Sequence, residues 1–546
     1  MTYSSCQDKN QFVLRVDLEP NSNDLEQLRL GVIPTQAQAI QISQFLHDAA
    51  NDLLELEARV EALRKHMDLK RSLLAPVYRL PDDILVEIFS YEFSHFPVDR
   101  TCPNRAFVSV CTRWRRVALS TPTLWATYVI DLSRMQDRYR DGLTNIMALK
   151  LYLARSKESL FSISFVDSRN STSMGYHYTY DHFQEFLLLL VKELHRWKHL
   201  AFDNVNSQWQ IPDALTRSIL TAESFPQLRT FYCSSADVPK SVLAAILKGS
   251  PNLNRLKILT LPEPGSTLIS ANSGITQLQL WAGPCSAIDE VFKAPERCPH
   301  LESLFYLLSE VESSEVSFQP QMLYTVRDLT LEVIGNREIV NREHNLLARL
   351  MSSFTLPSLK TLTFRSLSYP AFTAYWQCDV FEGFFHRSMC SLTSLRLLSM
   401  GITDLDTVSL LQCTPTLVEL EISEAPAPSK PFVTIHLLET LHSLDFQAST
   451  LIDSSEPLVP KLKSLTLHVR GPHFNDTAFV DMILSRSESR SNGIECLRSV
   501  TLRLEGRLME GKAAYQLRSL GNMMIVTLSD GQVPSPHRHW TASWIE

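Results

Sequence analysis

A short apolar pattern that returns along the last three quarters of the chain constrains the fold more than any other feature. Beyond about residue 150, hexads with apolar residues at positions one, four and six recur roughly every 20–36 residues. One such hexad is common, but thirteen in series predict units that bury their apolar sides only by stacking on one another. The hexads are LFSISF (160–165), WKHLAF (197–202), LRTFYC (228–233), LNRLKI (253–258), ITQLQL (275–280), LESLFY (301–306), VRDLTL (326–331), LKTLTF (359–364), LRLLSM (395–400), LVELEI (417–422), LHSLDF (441–446), LKSLTL (462–467) and LRSVTL (497–502).

Amphipathic segments between many of the hexads predict that each unit pairs a strand with a helix. Examples are SVLAAILKG (241–249), HNLLARLMSSF (344–354) and DTAFVDMILS (476–485). The alternation predicts an α/β fold in which a solenoid of strand–helix repeats covers residues 127–530, with a tail at 531–546. Because the spacing of the units is uneven, we expect an irregular solenoid.

A heptad seam precedes the repeats. Residues 1–34 are polar and are predicted to form a loose segment, whereas neither Gly nor Pro interrupts the chain from Thr35 to Ala75. The seam predicts a helix over 35–73, which is either a single amphipathic helix packed on the next domain or a coiled coil that forms a homodimer through residues 40–70. The sequence leaves both alternatives open. Apolar residues follow in steps of four and three at Ile42, Leu46, Ala49, Leu53, Leu56, Val60, Leu63 and Met67.

A compact helical segment lies between the seam and the repeats. In RLPDDILVEIF, which starts at residue 79, Pro81 occupies a first-turn position where its missing N–H costs nothing. Asp82 and Asp83 suit the positive end of a helix dipole. The following helix is predicted to have an apolar face made of Ile84, Leu85, Ile88 and Phe89.

A second helix is predicted after a polar loop. It ends at the Ser-Thr-Pro of residues 120–122, and LWATYVID then begins an extended segment. Its arginines are expected to face outward. Its apolar positions, expected to fill a small helical core, are Phe107, Val110, Cys111, Trp114 and Ala118.

The segment LPDDILVEIF…FVSVCTRWRRVALSTPTLW resembles an F-box, the three-helix module that docks on the Skp adaptor of cullin-based ubiquitin ligases. The match covers about residues 74–126. With the upstream heptad helix and LKLYLARS (149–156), the chain is similar to fungal F-box proteins with C-terminal leucine-rich repeats. The resemblance implies that Trp114 and Trp125 anchor the packing of the module. The adaptor-binding residues that it implies are Leu80, Pro81, Ile84, Leu85, Ile88, Trp114 and Trp125.

Two departures from the family pattern are visible. YEFSHFPVDRTCPNRA replaces the usual short Leu-rich linker between the first two helices, and the Asn residues that ladder the turns of regular leucine-rich repeats are mostly missing. The resemblance still implies a substrate-recognition subunit of a Skp–cullin–F-box ligase, which binds a cullin through the adaptor and an unknown target protein through the repeats. The alternatives are a leucine-rich-repeat scaffold acting outside a ligase and, against the motif evidence, a repeat-type enzyme.

The third and fifth residues of each hexad are predicted to face the open side of the solenoid, because strand side chains alternate. The earlier units place aromatic and basic groups there, and the unit of residues 417–422 places Glu419 and Glu421. We therefore expect a target with an acidic or phosphorylated segment to lie across the basic pair. Trp281, directly after its strand, is expected to reach the same surface. The predicted target-binding residues are Tyr232, Arg255, Lys257, Trp281 and Phe305.

Other classes of function have little support in the sequence. The net charge of −7 gives no reason to expect nucleic acid as a partner. Phosphate-binding glycine loops and the Gly-x-Ser-x-Gly nucleophile motif are absent. HRWKH (195–199) has Arg196 where a zinc protease has its Glu, and the ten cysteines form no Cys-x-x-Cys pair. We expect no catalytic residue, no cofactor and no metal.

The cellular location is expected to be intracellular, in the cytoplasm, the nucleus or both. The first residues, MTYSSCQDKNQ, lack the basic and apolar regions of a secretory signal. The longest apolar run, FLLLLV (186–191), is far shorter than the roughly 20 residues that cross a bilayer, so no membrane partner is expected. Reduced thiols are expected in that location.

Overall fold

The structure is a computed structural model, and it forms two compact units, Met1–Glu87 and Ile88–Glu546. The boundary between the units falls inside the segment 74–126 that resembles an F-box. Each unit is considered by itself below. The structure describes residues 14–17, 26, 29–95, 104–131, 138–166, 180–203, 217, 219–221, 224–233, 240–258, 274–282, 288–309, 319–334, 346–367, 376–424, 432–442, 458–470, 473–487, 494–520 and 525–530.

The main element of the first unit is the helix α1, Gln36–Leu73, which confirms the predicted long helix. Thr35 caps its start: the hydroxyl accepts from Gln38 N at 3.4 Å, and Gln38 Oε1 accepts from Thr35 N at 2.9 Å. This reciprocal pair satisfies two of the amide groups that a helix start leaves without partners. The large apolar residues of the seam are exposed, from 38% for Leu56 to 61% for Leu46.

Residues 14–17 pack against the middle of α1, which the prediction of a loose segment did not anticipate. The backbone N–H of Arg15 donates to Asp52 Oδ2 at 2.6 Å, and its guanidinium reaches Glu55 Oε2 at 3.4 Å. Val16 is 9% exposed and Asp52 is 2% exposed. A 3₁₀ turn, Pro76–Arg79, follows α1.

Three helices follow the 3₁₀ turn: α2 (Asp82–His95), α3 (Asn104–Val110) and α4 (Thr112–Ser120). The prediction of one continuous second helix is therefore wrong, because Cys111 adopts an extended backbone (φ −157°, ψ 169°) and caps α4. The turn at Cys111 leaves Val110 56% exposed instead of in the core. Within the second unit, the Phe89 ring lies 4.3 Å from the Phe107 ring and 5.0 Å from the Trp114 ring.

A parallel sheet forms the centre of the second unit, and among the described residues it contains fourteen strands. All of its pairs are parallel, and the spatial order of the strands is their order in the chain, which is compatible with a solenoid. Two two-residue strands, β8 (Gln321–Met322) and β10 (Phe354–Thr355), pair separately. The sheet strands are β1 (Thr127–Asp131), β2 (Phe161–Val166), β3 (Trp197–Asp203), β4 (Thr230–Cys233), β5 (Arg255–Ile258), β6 (Gln277–Ala282), β7 (Ser303–Ser309), β9 (Asp328–Ile334), β11 (Thr361–Ser366), β12 (Ser394–Leu398), β13 (Glu419–Ser423), β14 (Ser464–Arg470), β15 (Ser499–Glu505) and β16 (Ile525–Asp530).

Twelve of the thirteen hexads coincide with sheet strands, and LHSLDF lies mostly outside the described residues. The hexad LRLLSM has the wrong register. Leu395 pairs with Leu362 and with Leu420, which are fourth residues of their hexads, so the equivalent hexad is LTSLRL (392–397). Both frames put an apolar residue at 395, but Ser399 has φ +56° and the strand ends before it.

Helices between the strands cover the buried side of the sheet. From the helix Leu346–Ser353 onward, each helix contacts the next one along the chain, so the helices stack as the strands do. The predicted helices at 241–249, 344–354 and 476–485 are confirmed as α7, α9 and α13. The helices are α5 (Arg138–Ser156), α6 (Tyr180–Val191), α7 (Lys240–Gly249), α8 (Ile288–Lys293), α9 (Leu346–Ser353), α10 (Cys378–Ser388), α11 (Asp404–Gln412), α12 (Ile435–Thr440), α13 (Asp476–Ser485) and α14 (Gly511–Ser519).

Threonine hydroxyls link successive units in place of the missing Asn ladder. Thr276, Thr325 and Thr416 lie just before their strands and each donates to a carbonyl of the preceding unit, at 3.3, 2.7 and 2.7 Å. A hydroxyl has the donor that an Asn amide would supply, so the turn carbonyls are satisfied without asparagine.

Candidate protein-binding surfaces

The predicted target-binding residues lie on one face of the sheet, in neighbouring strands. Tyr232 pairs in register with Lys257, Lys257 with Gln279, and Gln279 with Phe305. The intervening residues of these strands, such as Phe231, Leu256 and Leu278, are buried, as the alternation predicts. Trp281 lies inside β6, which continues to Ala282, and not after the strand as expected. The side chains of these four strands therefore form one continuous row.

The basic groups of this row already have neighbours. The Lys257 ammonium lies 4.1 Å from the centre of the Tyr232 ring, a cation–π geometry. Arg255 and Lys257 are both half-buried. The pair is therefore a partly enclosed positive region beside an aromatic ring, not two solvated side chains on an open strand.

A buried carboxylate lies on the same sheet face. Glu332 of β9 is 4% exposed, and its Oε1 accepts from Arg365 Nη1 of β11 at 2.9 Å. Burial raises the pKa of Glu332, while the positive charges of Arg365 and Lys257 act against that rise. Farther along the sheet, Arg396 Nε lies 3.4 Å from Glu421 Oε2. Glu421, one of the two acidic residues that the sequence places on this face, is thus paired across adjacent strands, whereas Glu419 is exposed.

Two polar groups on β6 are buried and have no hydrogen-bond partner among the residues that the structure describes. They are the Oε1 atom of Gln279, whose residue is 5% exposed, and the Nε1–H of Trp281. One is an acceptor and the other a donor, and they lie two residues apart on the same face. Unpaired buried polar groups are costly, so a native structure that keeps them together calls for an explanation.

We expect the substitution Gln279→Met to leave the free energy of unfolding unchanged or to raise it by up to about 1 kcal/mol, because it removes a buried amide oxygen that has no partner among the described residues. Urea denaturation of the full chain measures this. Gln277→Met, two residues earlier on the same strand face, is the matched control. A loss of more than about 1 kcal/mol for Gln279→Met would mean that the amide has a partner.

His199 on β3 is held neutral by its surroundings. Burial, followed by the charges of Lys198, Arg255 and Arg229, lowers the pKa of His199 from 6.5 to about 4. Above pH 6.5 the imidazole is neutral in both the folded and the unfolded chain. As the pH falls from 6.5 towards 4, only the unfolded chain takes up the proton, so the folded state loses stability in that window.

We expect His199→Gln to remove about 3 kcal/mol of acid destabilisation between pH 6.5 and 4. Denaturant midpoints of the variant and of the wild type, measured across that pH range, give this difference in stability. His195→Gln makes the same change at an exposed histidine four residues earlier and serves as the control. Parallel profiles for His199→Gln and the wild type would contradict the neutral histidine.

The residues that the F-box resemblance marks for adaptor binding differ in exposure. In the first unit, Pro81 is exposed, Ile84 is 41% exposed and Leu80 is half-buried, whereas Leu85 is buried. In the second unit, Ile88 is 43% exposed and Trp114 is half-buried. The apolar groups open to a partner at the start of α2 are therefore Pro81, Ile84 and Ile88.

Trp125 is 3% exposed and serves the packing of the second unit. Its Nε1–H donates to the Ala118 carbonyl at 2.8 Å, and its ring meets Tyr152 edge-on at 5.1 Å. The Arg155 guanidinium lies 4.2 Å over the ring. Trp125 thus joins the Pro122–Trp125 turn to α4 and α5, which agrees with the packing role implied for it.

Sequence reasoning missed several members of the sheet-face surface. The alternation places Gln279 on this face but does not mark it as a binding residue, Glu332 and Arg365 lie one position beyond the hexads, and the register error at LRLLSM concealed Arg396. A rule that extended each hexad by one residue would have found the ion pair. Among the described residues, no three His, Cys, Asp or Glu side chains are grouped as a metal site, and no helix is long and apolar enough to cross a membrane.

No protein-family model matches the chain, and no curated protein sequence is significantly similar to it.

Proposed function

We propose that the chain is a non-catalytic substrate receptor of a Skp–cullin–F-box ubiquitin ligase. The observation that carries the proposal is the exposed apolar start of α2, where Ile84 and Ile88 are 41% and 43% exposed after the Leu80-Pro81 entry. Apolar side chains grouped at an exposed helix start indicate a partner surface. The resemblance of this segment to an F-box identifies the partner as a Skp-family adaptor, and through it a cullin.

The repeats would hold the target protein. The row Tyr232, Lys257, Gln279 and Phe305 contains two aromatic rings, a residue type enriched at protein interfaces, beside a cation and an amide. An acidic or phosphorylated segment of the target would add charge pairing with Arg255 and Lys257.

The mechanism would be proximity. Holding a target lysine near a loaded conjugating enzyme turns a slow bimolecular transfer into an effectively intramolecular one. The receptor supplies position, and the other subunits supply the ubiquitin chemistry.

The cysteines support a receptor without its own thiol chemistry. A ligase cysteine needs a lowered pKa, since the thiolate is the nucleophile. Burial and the hydrogen bond to Asp406 raise the pKa of Cys378 to about 12, and burial also raises the pKa of Cys390 and Cys413. These three thiols would be poor nucleophiles at neutral pH.

Partner capture from cells under proteasome inhibition tests the proposal. The wild-type chain is expected to recover a Skp adaptor, a cullin and accumulated targets. A variant carrying Ile84→Asp and Ile88→Asp, used beside a deletion of residues 74–126, is expected to recover targets without adaptor or cullin. An adaptor without cullin would favour a scaffold that acts outside a ligase, and no adaptor in the wild-type sample would contradict the F-box assignment.

A further inference from the structure

The helix α1 carries an apolar seam whose large side chains are exposed, and residues 14–17 pack beside its middle at Asp52. Within the first unit, its large seam side chains are 38–61% exposed, although α1 is one continuous helix with a capped start. An apolar stripe of this kind on a helix of 38 residues is unfavourable in water unless another surface covers it. The partner can be identified from the residues that flank the seam.

The steps of four and three assign every residue of α1 to a heptad position. Leu46, Leu53, Val60 and Met67 take position a, and Ile42, Ala49, Leu56 and Leu63 take position d. The flanking g positions are then Phe45, Asp52, Arg59 and His66, and the flanking e positions are Ser43, Ala50, Glu57, Arg64 and Arg71.

A parallel pair of α1 helices would place like charges together. In that arrangement each g residue faces the e residue five positions later on the partner helix, so Asp52 meets Glu57 and Arg59 meets Arg64. Each contact occurs twice in a symmetric dimer. The core would also contain an Ala49–Ala49 layer between larger residues, which leaves a cavity.

An antiparallel pair removes both faults. When residue 42 of one helix lies opposite residue 67 of the other, every a residue meets a d residue: Leu46 with Leu63, Leu53 with Leu56, Val60 with Ala49, and Met67 with Ile42. Val60 then fills the space beside Ala49. The centre of this register falls between residues 54 and 55, which is also the midpoint of Gln36–Leu73. The whole helix therefore overlaps its copy.

The flanking charges agree with this register. The g residues pair with g residues, which sets Asp52 opposite Arg59, and the e residues pair with e residues, which sets Arg64 opposite Ser43 and Glu57 opposite Ala50. No like charges meet at these positions. Within one chain Asp52 already forms an ion pair with Arg15. The separation of Arg59 from Arg64 therefore contributes most to the preference for the antiparallel orientation.

The size of the contact suits a second copy of this chain. A helix of 38 residues is about 57 Å long, and a stripe about 10 Å wide on each partner gives roughly 1,100 Å² in total. This value is close to the lower limit of specific protein–protein interfaces, about 1,200 Å². A shorter overlap would bury less, so the centred register provides the largest area.

We propose that the chain forms a homodimer through an antiparallel coiled coil of α1, centred between residues 54 and 55. The inference is independent of the proposed ligase function. It places the C-terminal ends of the two α1 helices about 55 Å apart, so the two following docking segments start from opposite ends of one shared rod.

The first test is the mass of the full chain in solution by light scattering at micromolar concentration. The wild type is expected to have twice the mass of one chain. Leu53→Glu puts a carboxylate into the seam and is expected to give the monomer, because an unpaired buried charge is strongly unfavourable. Leu54→Glu changes the neighbouring residue, which is 65% exposed and outside the seam, and is expected to remain dimeric. Circular dichroism checks that both variants stay folded.

The second test reads the orientation. Ser43→Lys places an amine near Lys65 of the other copy, which follows the facing Arg64 in the antiparallel register, while Ser43 and Lys65 of one helix are about 33 Å apart. A short amine crosslinker followed by peptide mass spectrometry is expected to join residue 43 to residue 65. A monomeric wild type, equal behaviour of Leu53→Glu and Leu54→Glu, or links of 43 to 43 and 65 to 65 would each overturn the proposal.

Discussion

The double substitution Ile84→Asp with Ile88→Asp is expected to abolish binding of the Skp adaptor, with a loss of at least about 100-fold in affinity. Central apolar anchors of an interface commonly cost 2 kcal/mol or more when removed, and two carboxylates would in addition have to be buried in the complex. Both side chains are more than two fifths exposed in the chain. Surface substitutions of this kind usually change folding stability by less than about 0.5 kcal/mol. Titration calorimetry with purified adaptor measures the loss.

Leu188→Asp is the matched control for this experiment. Leu188 lies on α6 and is 51% exposed, so it receives the same change in a similar setting. We expect Leu188→Asp to bind the adaptor as the wild type does. Wild-type affinity in the double variant would contradict a docking role for the start of α2.

The substitution Arg486→Met is expected to lower the free energy of unfolding by about 3–5 kcal/mol. Arg486 is 1% exposed and donates to three carbonyls: Leu441, Val459 at 3.2 Å and Leu458 at 2.6 Å. Burial lowers its pKa to about 10, so it remains charged at neutral pH. Methionine fills much of the volume but removes the guanidinium donor from all three carbonyls, although the Val459 carbonyl still accepts from Leu462 N at 3.2 Å.

Urea denaturation midpoints of Arg486→Met, Arg486→Lys and Arg518→Met measure this effect. Lysine keeps the charge but lacks the planar guanidinium that reaches several carbonyls at once, so Arg486→Lys should fall between wild type and Arg486→Met. Arg518 is exposed on α14, and its substitution should change little. A loss under about 1 kcal/mol for Arg486→Met would show that the three carbonyls are satisfied in another way.

The repeats could be predicted from the sequence because the same local signal recurs. Each strand buries its fourth and sixth hexad residues, as in Leu256 and Ile258 of β5, so the pattern sets the face of every strand. Among the described strands, the pattern gave the wrong register only at LRLLSM, because Leu395 fits both the hexad 395–400 and the hexad 392–397. It also could not show which residues on the other face are enclosed: Gln279 and Thr363 are 5% and 7% exposed although the alternation places them on the open side.

Features made by single residues over long separations could not be predicted. Arg486 binds carbonyls 27–45 positions away, and no local pattern marks it among the arginines of the chain. The break at Cys111 depends on one extended residue inside a helical stretch. The pairing of Arg15 with Asp52 joins a polar segment to a helix 37 positions later, which composition alone does not indicate.

The central claim is that the segment around α2 docks on a Skp-family adaptor, and titration of purified adaptor into the purified wild-type chain tests it most directly. The account predicts one adaptor per chain with a dissociation constant below about 1 μM. Absence of binding at tens of micromolar, with the chain folded by circular dichroism, would contradict it.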